Sequence, residues 1–421
     1  MAPPALWLYR ALMAVSLPLM APFLLVADRR RGKKRPPWSQ RLGRKLPAIP
    51  AGGVWVQAVS VGEVAVARPL LAELRRRHPE VPLVLSATTA TGLAMASDPQ
   101  LADVTLPFPV DVPGPVRRLM DAARPRLVVL VETELWPELL AACGARGVPV
   151  VLVNARVSDR SFRGYTAVRA LLRALLAPVT LALAQDEPSA ERLAAMGVGA
   201  DRIAVTGNVK FDAPPPGAAP EVLEELRRLA GGRQVFVAGS TMPGEEEVVL
   251  EALLKLPAAK RPFLLLAPRH PERAAKALQL AADRGLSVAR RTELDRAEPR
   301  CQVVVLDTVG ELAAIYRLAD AAFIGGSLVA TGGHNPIEPA RYGVPVITGP
   351  HVKNFAAVYR TFAAAGASRL VHSAAELAAA LEHWFTDRAA ARAAGEAGRA
   401  LLTSNAGATA RTADALERFL T

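Results

Sequence analysis

Short apolar runs, most of them rich in β-branched residues, alternate with alanine- and leucine-rich stretches of helical periodicity from residue 46 onward. Continuous runs of this length are typical of parallel strands that helices cover on both faces. They form two groups, at 53–59, 81–87, 126–131, 148–154 and 180–185, and at 234–240, 262–268, 301–307, 321–326 and 344–350. We therefore predict an α/β fold with two doubly wound domains facing a cleft, whose ligands bind beyond the carboxyl ends of the strands.

The only break with the composition of a linker is the Pro- and Gly-rich segment 212–220. The chain has 421 residues, more than one typical domain, so this segment divides it into a first domain over 46–211 and a second over 221–421. Cys143 and Cys301 are the only cysteines and lie far apart, which argues against a disulfide framework or a zinc site and favours a reducing compartment. The sequence has no short Asp-x-Asp motif either, so it gives no support for a divalent-metal site.

The net charge of +12 is concentrated in one segment of the chain. Residues 29–45 contain nine lysines and arginines and no acid, and subtracting these nine from +12 leaves +3 for all the other residues. A net charge of only +3 outside the basic segment gives no indication of nucleic-acid binding, so the positive charge is a local feature of residues 29–45.

An uncharged stretch precedes the basic segment. Residues 11–27, ALMAVSLPLMAPFLLVA, approach the roughly 20 apolar residues that a membrane-spanning helix needs. The charges follow this stretch, unlike those of a signal peptide, and they place the rest of the chain in the cytoplasm. Pro18 and Pro22 weaken a straight span, so a helix lying in the interface is the main alternative, and a purely soluble helix is a further, less favoured one. We predict a membrane anchor over 1–28 and a basic juxtamembrane segment over 29–45.

Three polar stretches follow predicted strands of the second domain and should lie at one edge of its sheet. Arg269 follows one strand, residues 308–311 lead from another into a helix, and a third helix opens with G-G-H-N-P-I-E. Singly, they are explained as an exposed arginine, a helix start, and a capping box in which Asn335 caps the helix, Pro336 occupies its first turn and Glu338 completes the box. Together they offer a guanidinium and two helix N-termini for phosphate, and carboxylates for ribose hydroxyls, so we predict a nucleotide site. Neither a Walker A sequence nor a dinucleotide fingerprint is present.

Charged residues also follow the strands of the first domain. Glu63 falls in the first turn of a predicted helix, where the helix dipole favours a carboxylate in any case. Glu132 and Glu134 follow a buried strand, where an unpaired charge is costly. Lys210 lies at the end of the first domain. These residues are candidates for a functional site at the strand ends of the first domain.

Several motifs, in order and at matching spacing, closely resemble the Kdo (3-deoxy-D-manno-octulosonic acid) transferases of lipopolysaccharide synthesis. They are S-V-G-E at 60–63, E-T-E-L-W-P at 132–137, N-A-R-V-S at 154–158, T-G-N-V-K-F-D at 206–212, P-R-H-P-E-R at 268–273, D-T-V-G-E-L at 307–312 and the segment 325–338. The resemblance covers nearly the whole chain, including the N-terminal apolar stretch and the basic segment behind it.

The resemblance implies a GT-B glycosyltransferase with two Rossmann-like domains, inverting and independent of metals and other cofactors. Such an enzyme transfers Kdo from CMP-Kdo to the lipid A precursor (lipid IVA) at the cytoplasmic face of the inner membrane. It further implies that Glu63 is the general base and that Glu132 and Lys210 stabilise the transition state. The residues implied to bind CMP are Pro268, Arg269, Val309, Gly310, Glu311, Asn335, Pro336, Ile337 and Glu338.

Two other functions fit the sequence pattern. A sugar-nucleotide epimerase shares two βα-alternating domains and a C-terminal nucleotide site, but it has no evident need for an anchor. A non-catalytic scaffold that binds anionic lipid through the basic segment would leave the strand-end acids without a function, and it would not bind a nucleotide.

The basic segment leads to a prediction about membrane association. Each of its charges gains about 1 kcal/mol near an anionic surface. Deleting residues 1–28 should therefore leave partial, salt-sensitive binding to anionic vesicles, whereas deleting 1–45 should abolish binding in a flotation assay. Salt-resistant binding by the longer truncation would contradict this account and would indicate another apolar surface.

Overall fold

The computed structural model describes residues 4–30, 36–157, 159–212 and 219–420, without the side chains of 20–30, 159–160 and 166–167. The chain divides into two compact units: unit 1 comprises Met1–Ala213 and Asn405–Thr421, and unit 2 comprises Pro214–Ser404. Most of the predicted linker, Ser158 of the N-A-R-V-S motif, and part of the basic segment lie outside the described residues.

Unit 1 contains a seven-stranded parallel sheet. Its strands are β1 Val54–Ala58, β2 Leu83–Ala87, β3 Val104–Pro107, β4 Leu127–Val131, β5 Val150–Ala155, β6 Val179–Ala184 and β7 Ile203–Val205. They lie in the order β3-β2-β1-β4-β5-β6-β7. The strand order reverses between β1 and β4, and ligands bind at such a switch point in doubly wound sheets.

Helices cover both faces of this sheet. Before the linker, the helices of unit 1 are α1 Pro4–Arg30, α2 Trp38–Arg41, α3 Val61–Arg77, α4 Ala90–Ala96, α5 Pro113–Ala123, α6 Pro137–Arg146, α7 Asp159–Ala167, α8 Arg169–Leu176 and α9 Glu187–Met196. Along β1, Val54 and Val56 belong to the apolar cluster that contains residues of α3, while Trp55 belongs to the cluster on the other face with α5 and α6. Burial on both faces explains why the strands are continuous apolar runs.

Unit 2 contains a second seven-stranded parallel sheet. Its strands are β8 Val235–Thr241, β9 Phe263–Pro268, β10 Val288–Arg290, β11 Val303–Val305, β12 Ala321–Ile324, β13 Val346–Thr348 and β14 Ser368–Leu370, in the order β10-β11-β9-β8-β12-β13-β14. Its helices are α10 Pro220–Ala230, α11 Glu245–Lys255, α12 Ala274–Ala282, α13 Leu312–Ile315, α14 Ile337–Ala340, α15 Ala356–Ala364, α16 Ala374–Thr386 and α17 Arg388–Ser404. The switch point here lies between β8 and β12.

The predicted fold class is confirmed as α/β with two parallel sheets, and each predicted apolar run overlaps a strand. The strands that the sequence pattern missed are β3, β7, β10 and β14, and each is an edge of its sheet. These edge strands are partly exposed and only three or four residues long. A short, partly exposed strand needs no continuous apolar run, so it gives little signal in the sequence.

The last helix, α18 Ala408–Glu417, belongs to unit 1, although we assigned residues 221–421 to the second domain. Its Ala413 and Leu416 are buried in the same apolar cluster as residues of α3. The Asp212 carboxylate accepts hydrogen bonds from the backbone N–H groups of Gly407 at 2.8 Å and Thr409 at 2.6 Å. The boundary therefore depends on long-range burial, which a linker composition does not encode.

Among the residues that the structure describes, no helix is both long enough and apolar enough to cross a membrane.

The loop after β12 is held by one buried carboxylate. Glu245, in the first turn of α11, has no exposed surface and accepts hydrogen bonds from the backbone N–H groups of Gly326 at 2.6 Å, Ser327 at 2.9 Å and Leu328 at 2.8 Å. It also accepts one from Met242 N–H at 2.8 Å. This side chain therefore fixes the loop at the switch point of unit 2.

Replacing this carboxylate by an amide should destabilise unit 2, because an amide has one acceptor oxygen and leaves buried N–H groups unpaired, at about 1–3 kcal/mol each. We expect Glu245→Gln to lower the free energy of unfolding by about 2 kcal/mol or more in urea denaturation. Hydrogen exchange should accelerate at 326–328. The exposed Glu251→Gln on the same helix is the matched control and should change stability by less than about 0.5 kcal/mol. Equal effects of both substitutions would contradict this account.

Candidate active site

Glu63 lies where β1 passes into α3, at the switch point of unit 1. It follows the N-cap residue Ser60 by three positions, and its side chain folds back onto the strand–helix turn. Its Oε2 accepts a hydrogen bond from Val59 N–H at 2.6 Å, and its Oε1 accepts one from Ser60 Oγ at 3.0 Å. The residue is only 8% exposed. The turn thus holds one carboxylate in a fixed and nearly buried position.

Burial, with smaller contributions from the nearby Glu134 and Glu132 carboxylates, raises the pKa of Glu63 to about 7. The hydrogen bonds from Val59 and Ser60 favour the ionised form and oppose this shift without cancelling it. The helix N-terminus also favours ionisation, but desolvation is the larger effect here. A base with a pKa near neutral is suited to accept a proton during catalysis.

Glu132 directly follows β4, on the other side of the switch point. Its φ of +60° is in the left-handed region, which a glutamate rarely adopts. Its backbone N–H donates to the Val153 carbonyl at 2.8 Å, and its Oε1 lies 2.8 Å from Lys210 Nζ. Both side chains of this ion pair are about one-quarter exposed or less. The structure thus brings together Glu132 and Lys210, and it places both acidic loops at the same switch point.

The position of Lys210 depends on a residue absent from the predicted site. Asn154, at the end of β5, is fully buried with a φ of +52°, and its Oδ1 accepts a hydrogen bond from Val209 N–H at 3.0 Å. Asn208 Oδ1 accepts one from Lys210 N–H at 3.1 Å. These two bonds fix the 3₁₀ turn Val209–Phe211 that carries the lysine. The sequence signals for Asn154 are its place at the end of a predicted strand and its place at the start of the N-A-R-V-S motif.

A polar cavity of about 260 Å³ opens beside the Glu132 loop. It is lined by Glu132, Thr133, Glu134, Arg156, Val157, Ser161 and Tyr165. Thr133 Oγ1 donates to the Arg156 carbonyl at 2.6 Å and accepts from Arg156 N–H at 3.0 Å, which ties the loop to the end of β5. Burial and the Glu132 charge raise the pKa of Glu134. The cavity therefore combines carboxylates, a guanidinium and hydroxyls, as a ligand with several hydroxyl groups requires.

In unit 2, Arg269 follows β9 with an exposed side chain, and its backbone N–H donates to the Thr241 carbonyl at the end of β8 at 2.9 Å. Burial raises the pKa of Glu338, and the Asn335 amide and the Arg269 charge oppose that shift. Burial lowers the pKa of His334 to about 4, and Arg269 contributes to this decrease. Arg269, His334 and Glu338 are therefore close enough to affect one another's charge. Because His334 is neutral, the positive charge of Arg269 is available to bind an anion.

The expected capping box at Asn335 is not formed as predicted. The helix begins at Ile337, and Asn335 Oδ1 accepts a hydrogen bond from Ile337 N–H at 3.1 Å. The Glu338 carboxylate accepts from Asn335 Nδ2 at 3.2 Å rather than from a backbone N–H. Pro336 starts the turn without an N–H of its own, and α14 is only four residues long. Asn335 and Glu338 thus form a local side-chain pair instead of a reciprocal cap.

Residues 308–311 follow β11 and form a separate part of the same sheet edge. Glu311 Oε1 lies 2.5 Å from Arg291 Nη2, and Thr308 donates a hydrogen bond to the other carboxylate oxygen. Val309 is 83% exposed, and Gly310 has a φ of +93°. Glu311 is thus already paired, whereas the backbone at 309–310 is accessible. The remaining predicted residue, Pro268, ends β9 opposite Thr241.

No group of three or more His, Cys, Asp or Glu side chains within the described part of the chain is arranged to hold a metal ion.

Comparisons with known proteins identify the family of this chain. A family model for 3-deoxy-D-manno-octulosonic-acid transferase (kdotransferase) matches residues 36–213. The chain is 33% identical to the 3-deoxy-D-manno-octulosonic acid transferase of Haemophilus influenzae, covering 98% of both chains, and 40% identical to that of Bordetella pertussis, covering 90% of both. A putative UDP-N-acetylglucosamine 2-epimerase from Listeria monocytogenes is similar in fold alone, with a TM-score of 0.59, 14% identity and coverage of 87% of this chain and 96% of that one. On the sequence matches, the chain belongs to the 3-deoxy-D-manno-octulosonic acid (Kdo) transferase family and is a glycosyltransferase.

Proposed function

We propose that the enzyme transfers Kdo from CMP-Kdo to the lipid A precursor lipid IVA, with inversion and without a metal ion, at the cytoplasmic face of the inner membrane. The observation that carries the proposal is the nearly buried Glu63 carboxylate, whose pKa is raised to about 7 at the switch point of unit 1. The paired Glu132 and Lys210 lie beyond the neighbouring strand. Family membership indicates that the transferred sugar is Kdo, and the site contains a carboxylate whose pKa suits a general base.

In the proposed reaction an acceptor hydroxyl attacks the anomeric carbon of Kdo. The hydroxyl proton passes to the Glu63 carboxylate as the new carbon–oxygen bond forms, and the bond from the anomeric carbon to the CMP phosphate oxygen breaks. CMP departs with the bonding electron pair. Lys210, held by Glu132 and by the Val209–Phe211 turn, stabilises negative charge at the reacting centre. Apart from the donor and the acceptor, the proposed reaction involves only side chains of the protein.

For the donor, we propose that unit 2 binds the CMP moiety. The exposed Arg269 pairs with the phosphate, as a charge-assisted donor does. The Asn335–Glu338 pair and the accessible backbone at 309–310 contact the rest of the nucleotide. The neutral, partly buried His334, whose Nε2 has no hydrogen-bond partner among the described residues, is a further candidate contact. The proposed CMP contacts are thus side chains and backbone N–H groups in the segments that follow β9, β11 and β12.

An apolar groove on unit 1 supports a lipid acceptor. It has a volume of about 830 Å³ and is lined by residues that include Leu6, Ala141, Ala142, Ala174, Leu175 and Pro178. Arg10, Arg117 and Arg146 also line it. Along α1, the side chains of Leu8, Leu12, Val15 and Leu19 recur at helical spacing and are 61–73% exposed. A groove of this composition and an exposed apolar helix face fit an acylated, anionic acceptor at a membrane surface.

The epimerase alternative rests on fold similarity at 14% identity, which carries no information about the reaction. The scaffold alternative leaves the raised pKa of Glu63 and the Glu132–Lys210 pair without a purpose. Incubating the purified protein with CMP-Kdo and lipid IVA, and identifying the products by mass spectrometry, tests the proposal directly. Isomerised sugar nucleotide without transfer would support the epimerase instead.

The proposed base should be tested with Glu63→Gln. An amide cannot accept the hydroxyl proton, so the variant should fold and bind CMP normally but lose transfer by at least ~100-fold at neutral pH. In the unsubstituted enzyme, kcat should fall as the pH decreases through about 7, because protonated Glu63 is inactive. Glu187→Gln, which alters an exposed first-turn glutamate of α9, is the matched control and should retain full activity. Near-full turnover by Glu63→Gln would leave Glu63 as a helix-start acid and make Glu132 the next candidate.

The proposed donor site should be tested with Arg269→Gln and Glu338→Gln. Loss of the guanidinium should weaken CMP binding by about tenfold or more, since a charge-assisted bond contributes about 1.5–3 kcal/mol. Glu338→Gln should lower CMP affinity with little change in melting temperature if the carboxylate contacts the nucleotide. Arg392→Gln, on the exposed face of α17, is the control for calorimetry. A large loss of stability in Glu338→Gln with unchanged CMP affinity would restrict that residue to a structural role.

A further inference from the structure

The N-terminal helix α1 is joined to unit 1 by two polar side chains. Tyr9 OH donates a hydrogen bond to Asp111 Oδ2 at 2.9 Å. The Arg10 guanidinium donates two hydrogen bonds to the Glu138 carboxylate, from Nε to Oε2 at 2.8 Å and from Nη2 to Oε1 at 2.7 Å. A bidentate guanidinium–carboxylate pair fixes direction as well as distance, so α1 has a defined position on the unit.

The two carboxylates that accept these bonds, those of Asp111 and Glu138, both lie near the first turn of α6 in space. The N-cap residue of this helix, Trp136, makes no side-chain capping bond. Asp111 takes over that function from elsewhere in the chain, accepting hydrogen bonds from Glu138 N–H at 3.1 Å and Leu139 N–H at 3.0 Å. Tyr9 therefore contacts the carboxylate that caps the first turn of α6, and Arg10 contacts a carboxylate within that turn.

These two carboxylates cannot be buried without compensation. Asp111 is 2% exposed and Glu138 is 5% exposed. Burial raises the pKa of Asp111 to about 6, and the Glu138 charge adds to that effect. Arg10 is the cation that the structure places on Glu138, and its loss would leave a buried carboxylate without its ion pair. The docked position of α1 and the geometry of the first turn of α6 are therefore coupled.

The first turn of α6 is continuous with the Glu132 loop. Residues 132–136 lead from β4 directly into Pro137, the first residue of α6. Two side chains of this loop, Glu134 and Glu132, are the charges that act on Glu63. Thr133 ties the loop to Arg156 at its other end. A shift of the α6 start would thus move these carboxylates relative to Glu63.

We propose that α1 is a positioning element of the active site, in which Tyr9 and Arg10 set the location of Glu132 and Glu134 relative to Glu63 by holding the start of α6. The inference rests on the proposed role of Glu63 as the base. The opposite face of α1 carries the exposed Leu8, Leu12, Val15 and Leu19. A surface that covers this face also favours the docked helix, which links contact at α1 to the arrangement of the active site.

The test is the pH dependence of kcat for the full-length enzyme in detergent, with Arg10→Gln, Tyr9→Phe and the conservative Arg10→Lys. Burial and the neighbouring carboxylates raise the pKa of Glu63, so loosening the loop should lower it. Since Glu63 acts in its ionised form, the acid limb should move to lower pH in Arg10→Gln, by about half a unit or more, while kcat falls. The charges facing Glu63 are Glu134 and Glu132, and Lys210 pairs with the latter. Arg10→Lys should lie between Arg10→Gln and the unsubstituted enzyme.

Two controls separate positioning from folding. Arg76→Gln, which alters an exposed arginine of unit 1 that pairs with Glu73 and lies outside the groove, should leave the acid limb and kcat unchanged. The double variant Arg10→Gln/Glu138→Gln removes the unpaired buried charge and should recover stability, but its acid limb should remain shifted. Recovery of the original acid limb in that double variant would show that Arg10 only neutralises Glu138, and it would overturn the proposal.

The two hypotheses fail in different ways. If the unsubstituted enzyme transfers Kdo without an acid limb near pH 7, the assignment of the base fails, whatever the α1 variants do. If that limb exists and Arg10→Gln leaves both its midpoint and kcat unchanged, the positioning role of α1 fails while the proposed function stands. The KM for CMP-Kdo should be unaffected in every α1 variant, because CMP is proposed to bind unit 2.

Discussion

The burial of neighbouring carboxylates at the switch point of unit 1 is the constraint on which the rest of that unit depends. Glu63, Glu132 and Glu134 act on one another there, with Lys210 paired to Glu132. Burial raises the pKa of Glu63, and repulsion from the charges of Glu134 and Glu132 adds to this effect, so Glu63 becomes a base near neutral pH while Glu132 keeps an ion pair. The fold has to hold these groups together against that repulsion, and the contacts around the site do so.

Glu63 lies in helix α3, and Glu132 and Glu134 lie in the loop that precedes helix α6. Segments from opposite ends of the chain pack against these two helices. The helix that bears Glu63, α3, packs against the C-terminal helix α18, and its Arg77 pairs with Asp414 and Glu417. The helix that follows the Glu132 loop, α6, is held by α1 through Arg10 and Asp111. Such long-range contacts cost chain entropy, but they leave the loops at the strand ends free for a ligand.

Backbone strain occurs at the switch point of each unit. Glu132 follows β4, and Ser240 lies near the end of β8; both have a left-handed φ, of +60° and +55°. Each conformation costs roughly 1–2 kcal/mol for a residue with a Cβ atom, so the surrounding structure must enforce it. In unit 2 the buried Glu245 carboxylate binds the backbone N–H groups of the neighbouring loop at 326–328 and of Met242, two residues after Ser240. Both switch points are therefore rigid and polar, which suits the recognition of small charged ligands.

The sequence by itself determined the alternation of buried strands and helices, because a strand covered on both faces must be apolar throughout, and its motifs pointed to the family. Only the tertiary structure decided the edge strands such as β7 and β14, whose partial exposure removes the apolar signal, and the return of α18 to unit 1. It also decided the direction of the pKa shift of Glu63, since the helix dipole and burial oppose each other and only the folded environment sets their balance. The contributions of Asn154, Asp111 and Arg10 arise from partners 55, 27 and 128 residues away, and a local pattern contains no information about such distances.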